Sequence, residues 1–166
     1  MKRILLLLFI GASLLVKAQP RMTLYGFSQL FTPGMIRADD NQSGRRGSIT
    51  YYIYMSMPAG TSIRFDHIWI DGNLYEGAMQ PVDSTPVMNV NYTIPGKVVK
   101  RVLVPKTRQL VLQVLPHQQT TDSLAKTTLV KKLISRSSLV ISYWYKGRKY
   151  YSHLDKLVEL EPVAGM

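Results

Sequence analysis

The chain has no cysteine. That absence excludes disulfides, thiolate zinc sites, redox pairs and cysteine nucleophiles. Acids are also scarce: 10 Asp and Glu stand against 21 Lys and Arg, for a net charge of +11. A glycosidase needs two carboxylates facing one bond. Asp66 and Glu76 face each other across the Asp71-Gly72 turn, but nothing in the pattern marks them as a catalytic pair. A dedicated calcium loop needs spaced oxygen ligands and a terminal Glu, and Asp39-Asp40-Asn41 has neither. Of the three histidines, His67 shares an apolar strand face with Phe65 and Trp69 and reads as a hydrogen-bonded core residue. His117 follows Pro116 in a turn, and His153 lies near Asp155. A trio of Ser142, His153 and Asp66 can be drawn, yet the strand–elbow–helix motif G-x-S-x-G is missing. No nucleotide loop and no internal repeat is visible. No catalytic residue, metal or cofactor is expected.

Long hydrophobic runs are absent except at the start, MKRILLLLFIGASLLVKAQ. Lys2 and Arg3 precede an apolar run from Ile4 to Val16, and Val16 and Ala18 place acceptable side chains before a cut at Ala18–Gln19. That layout is a secretory signal peptide over residues 1–18. The run is shorter than the roughly 20 apolar residues of a membrane span. Removing Lys2, Arg3 and Lys17 leaves 18 basic against 10 acidic side chains, a net of +8, on one domain of residues 19–166. An exported chain without cysteine fits a Gram-negative envelope or secreted protein: periplasm, cell surface or medium.

What is present is period-two alternation, bounded by Gly, Pro, Asn and Asp. Strands are expected at Thr23–Phe31, Ser48–Met57, Ser62–Ile70, Leu74–Gly77, Val87–Ile94, Lys97–Val104, Gln109–Leu115, Leu139–Tyr145, Arg148–Leu154 and Leu157–Val163. Asp71-Gly72 and Lys146-Gly147 read as two-residue hairpin turns, and Lys97–Val104 reads as a hairpin with Gln109–Leu115. Charge and Pro162 mark the last strand as an edge. Only Thr121–Arg136 lacks alternation, and one short helix is expected near residues 122–135 with Asp122 as N-cap. The fold class is mainly β, an immunoglobulin-like antiparallel sandwich, with a small β-barrel as the alternative. Thr32–Gly47 is a polar loop of a length often functional in compact domains. Asn41-Gln-Ser43 and Asn91-Tyr-Thr93 match the N-glycosylation pattern, and Asp83-Ser84-Thr85 and Asp122-Ser123-Leu124 resemble short bacterial O-glycosylation sites.

Two patterns bear on function. Basic residues crowd Lys97–Arg108, the helix segment and the Lys146-Gly147 turn, a field that attracts anionic partners. Aromatics crowd the same turn: Tyr143, Trp144 and Tyr145 enter it, and Tyr150 and Tyr151 leave it. With Trp144 inward beside Val140, the residues Tyr143, Tyr145, Lys146, Arg148, Lys149 and Tyr151 form the candidate binding surface. The expected function is a non-enzymatic binding or assembly module with an envelope protein partner, or an anionic glycan. Peripheral contact with a membrane surface is compatible with the charge; export disfavours nucleic acid. A carbohydrate-binding or adhesive module would need exposed coplanar rings. A small periplasmic hydrolase would need convergent His and acidic groups.

Overall fold

In the computed structural model, the described residues are 20–32, 47–93, 97–120 and 128–164. The leader and its cleavage site, residues 33–46 of the expected loop, and residues 121–127 with the expected N-cap Asp122 lie outside them. The elements are β1 (Thr23–Thr32), β2 (Ser48–Met57), β3 (Arg64–Ile70), β4 (Asn73–Pro81), β5 (Val87–Thr93), β6 (Lys97–Val104), β7 (Leu110–Thr120), α1 (Thr128–Ile134), β8 (Leu139–Tyr145), β9 (Arg148–Leu154) and β10 (Val158–Ala164).

Eight strands form one sheet in the order β10-β1-β2-β7-β4-β3-β8-β9, and β5 and β6 form a separate ribbon. The large sheet curls into a half-barrel. Its two halves face each other as the layers of a sandwich do, so the mainly β expectation is met by a sheet that is continuous around the bend. All its pairings are antiparallel except β1 with β10. Alternation places Ile53, Met55 and Met57 of β2 on the concave face, where they meet Ile68, Ile70, Leu139, Ile141 and Tyr143. β1 closes against the far end of the sheet at Gly26, where a Cβ would lie 2.6 Å from Leu157 Cδ2 and 2.8 Å from Leu154 Cδ1.

Among the described residues, the convex face is covered in two places. α1 lies over Trp69, Leu74 and Val140 with Leu133 and Ile134. The β5–β6 ribbon lies over Phe27, Tyr54, Val111 and Leu160 with Leu103 and Val104. The parallel β1–β10 pair departs from the all-antiparallel expectation, and this cover explains a second departure. β6 pairs with β5 rather than β7, which runs inside the main sheet between β2 and β4. β7 is apolar on both faces: Val114 fills the concave core while Val111 packs beneath the ribbon. A strand with two apolar faces belongs at the centre of a sheet, not in an edge hairpin.

β10 is an edge strand, as its Glu and Pro content indicates. Its pairing with β1 slips between Gln29 and Phe31, opposite Pro162, which has no N–H to give the ladder. Gln29 Nε2 donates to the freed Glu161 carbonyl at 2.8 Å. Asn91 Nδ2 reaches the Glu161 and Pro162 carbonyls, both at 3.3 Å. The side chain of the Asn91 glycosylation pattern is thus buried and occupied by the strand edge.

Candidate functional site

The site grows from a bulge. β3 pairs with β8 as Phe65↔Tyr143 and then His67↔Ser142, so Asp66 is one residue too many. A bulge reverses which face the following side chains occupy. Phe65 therefore packs with the concave core, whereas His67 and Trp69 stand on the convex face. This corrects the expectation that Phe65, His67 and Trp69 share one apolar side: His67 is half-buried at the surface. The same parity corrects β8. Val140 is buried on the convex side under α1, so Trp144 is convex with it, and Tyr143 is fully buried in the concave core, stacked on Tyr150 at 6.0 Å. Tyr143 is therefore not part of any exposed surface.

Across β3, β8 and β9 the convex rows read Arg64, Trp144, Lys149 and then His67, Ser142, Tyr151. Asp66 sits at their centre. Ser142 Oγ donates to Asp66 Oδ2 at 2.7 Å and Trp144 Nε1 to Oδ1 at 3.2 Å. Lys149 Nζ lies 2.6 Å from Oδ2. His67 Nδ1 lies 2.5 Å from the same oxygen and supplies the proton, since an ionised carboxylate only accepts. Partial burial pushes the Asp66 carboxyl up, but the hydrogen bonds from Lys149, Ser142, His67 and Trp144 outweigh it and hold the group well below the usual carboxylate range.

Around this centre, cations lie on rings. The Arg64 guanidinium is 5.5 Å from the Trp144 ring, Lys149 Nζ 5.7 Å from Tyr151, and Lys146 Nζ 5.1 Å from Tyr145. The turn itself is left-handed at both residues, with φ of 48° at Lys146 and 75° at Gly147, the type I′ geometry that matches strand twist. Arg64, Lys146, Arg148 and Lys149 are exposed, and Tyr145 and Tyr151 are half-buried. Of the candidate surface, Lys149 and Tyr151 stand on the convex face with Trp144, whereas Tyr145, opposite Arg148, shares the concave side with Tyr143 and packs against the core and Tyr150, so it does not face outward with them as expected; Lys146 sits in the turn between the two faces. Arg64, Asp66, His67, Ser142 and Trp144 join Lys149 and Tyr151. Strand pairing over a long sequence separation brings these additions in; their only signal in sequence is the match of a lone acid to a basic hairpin.

The chemistry of the cluster is positional. In a nucleophilic triad the histidine lies between serine and carboxylate. Here Asp66 lies between Ser142 and His67, so Ser142, fully buried, has a carboxylate of low basicity as its partner instead of an imidazole. His153 stands opposite Val140 and takes no part in the Asp66 hydrogen bonds. Asp66 and Glu76 do line a common cleft of about 440 Å³ with His67, Tyr75 and Thr120, but the four donors on Asp66 leave that carboxylate committed. Among the described residues, no three His, Asp or Glu side chains converge as a metal site. No described Trp or Tyr side chain is fully exposed, and the rings at the turn lie under cations rather than open as a flat platform.

The chain matches no family model, and neither a curated protein nor a solved structure is significantly similar to it. Its class is therefore defined by the fold and the surface alone: a mainly β half-barrel with a cation–aromatic corner.

Proposed function

We propose that the chain is an exported, non-enzymatic binding module of a bacterial envelope that acts through protein–protein contacts at the β8–β9 corner. The observation that carries this reading is the Arg64–Trp144 stack beside Lys149 and Tyr151 on the convex face of an edge hairpin. Trp, Tyr and Arg are the residues most enriched among interaction hot spots. Because Asp66 neutralises Lys149, the unspent charge is that of Arg64, Lys146 and Arg148, and it favours an acidic partner surface. The N-terminal leader pattern supports export. The glycan reading is weaker because cations cover the rings that a sugar would stack on.

The test begins in the producing cell. Benzoylphenylalanine replaces Tyr151, light fixes the neighbour, and the neighbour is identified and purified. The reading expects one protein adduct from position 151 and none from position 156, in the bend between β9 and β10. It also expects Arg64→Ala and Tyr151→Ala each to weaken binding of the purified partner at least tenfold with the fold intact. Equal adducts from both positions, or unchanged affinity in both folded variants, would refute it. Intact mass tests export separately, with a mature chain expected to begin at Gln19.

A further inference from the structure

The β5–β6 ribbon is inside out. Its face toward the body carries Asn89, Asn91 and Arg101, with Val99 and Leu103. These polar groups are spent on the body: Asn89 Nδ2 reaches Gln29 Oε1 at 3.5 Å, Asn91 reaches the two β10 carbonyls, and Arg101 Nη1 reaches the Glu159 carbonyl at 3.4 Å. Its other face carries Met88, Val90, Val98 and Val102, exposed by 41%, 42%, 45% and 48%. These residues are neighbours, since Met88 pairs with Val102 and Val90 with Lys100. A soluble hairpin normally turns its apolar side chains to the core and its polar ones to water. A one-residue slip of register would have restored that order, and the protein holds the opposite one with four side-chain contacts from the ribbon to Gln29 and β10.

We infer that the outer face of the β5–β6 ribbon is a second docking surface, and that its occupant is an apolar protein surface bearing carboxylates. The charge argues for that occupant. From Ser84 to Thr121 the sequence has no Asp or Glu, while Lys97, Lys100, Arg101, Lys106 and Arg108 are all basic. Lys100 stands within the apolar face, between Val98 and Val102 on β6, and is exposed. A second copy of this chain is disfavoured, because a two-fold contact sets Lys100 against like charge. A lipid surface is disfavoured because Met and Val, without Trp or Phe among the described side chains of this face, make a poor interfacial anchor. A partner carboxylate opposite Lys100, ringed by aliphatic contact, satisfies both features of the face.

The inference rests on the reading of the chain as a protein-binding module, and its test separates the two. Benzoylphenylalanine replaces Val90 or Val98, and the adduct is identified, purified and titrated against the full mature chain. The expected result is a protein whose affinity falls at least tenfold with Val98→Asp and at least tenfold with Lys100→Glu. Its affinity should also weaken steadily with added salt. Both substitutions are at exposed positions, and circular dichroism and thermal melting confirm the fold. Protein adducts at position 151 but none at 90 or 98 would overturn this inference and leave the proposed function standing. Adducts at none of the three positions would defeat both. Sedimentation of the wild-type chain as a dimer that Lys100→Glu strengthens, or flotation with phosphatidylglycerol vesicles that Val98→Asp abolishes, would assign the face to a second copy or to lipid and overturn the inference as well.

Discussion

Asp66 is the residue on which the corner turns, and its replacement by Asn is the sharpest test of the structure. The amide keeps the shape but presents an NH₂ group among donors. With its one remaining oxygen the amide can serve either the Oδ2 side, where Ser142, His67 and Lys149 donate, or the Oδ1 side, where Trp144 donates; the donor left facing the NH₂ group loses its acceptor, a cost of about 1–3 kcal/mol. The indole N–H of Trp144 and the imidazole of His67 lose a charged acceptor and are half-exposed, so water replaces part of that loss, leaving roughly 0.5–1 kcal/mol between them. Lys149, about one-third exposed at 32%, swings to solvent and contributes at most about 1 kcal/mol. The total is about 2–4 kcal/mol, a drop in Tm of roughly 6–12 °C for a chain of this size. The effect depends on pH in a stated direction. The folded carboxyl titrates well below its unfolded value of about 3.9. The stability it supplies is therefore full above about pH 4 and is lost as pH falls toward the folded value. Urea melts of wild type and Asp66→Asn from pH 7 to pH 3 decide the matter. The difference between them should be constant down to about pH 4 and shrink below it. A variant within about 0.5 kcal/mol of wild type at pH 7, the range of an ordinary surface change, would show that the Asp66 network is not formed.

Three further outcomes follow from particular contacts. Tyr143→Ala should cost about 3–5 kcal/mol, as removal of a buried aromatic does, measured by urea unfolding; a loss near that of Tyr145→Ala would put Tyr143 at the surface. Asn91→Ala takes the donor from the Pro162 carbonyl and leaves that of Glu161 to Gln29 alone, and hydrogen exchange should quicken in β5, β6 and β10 while β3 and β8 stay protected; uniform quickening would contradict the seam. Lys146→Asn should raise stability by up to about 1 kcal/mol, because the left-handed φ of 48° penalises lysine more than asparagine; a fall in Tm would mean that the Lys146–Tyr145 contact outweighs the backbone term.

Much of the architecture was legible in the chain itself. Alternation located the strands closely: β2, β6, β8 and β9 occupy the ranges that their apolar periods and flanking Gly and Pro mark out. The Asp71-Gly72 and Lys146-Gly147 turns follow from local backbone chemistry, and both have positive φ at each position. The basic excess and its clustering at the Lys146-Gly147 hairpin are composition, and folding did not change them. The leader pattern likewise belongs to sequence alone.

Tertiary structure decided which way the side chains point and which strands are neighbours. Period two identifies two faces but not which is buried. Val140 and Trp144 share a face in either case, and only the cover supplied by α1 assigned that face to the convex side and sent Tyr143 into the core. The Asp66 bulge is a single extra residue with no signature in composition, yet it reversed the parity of β3 and brought Asp66 to Ser142 and Trp144, which are separated from it by 76 and 78 positions. The β5–β6 ribbon was likewise visible as two strands but not as an inverted one. Its polar face is inward because the register slip at Pro162 takes two β10 carbonyls out of the ladder, and the distant Asn91 serves both while Gln29 also serves that of Glu161. Local sequence determines what each segment can become. The pairing of distant strands determines which face is spent on the fold and which is left for a partner, because burial is a property of neighbours and not of the residue alone.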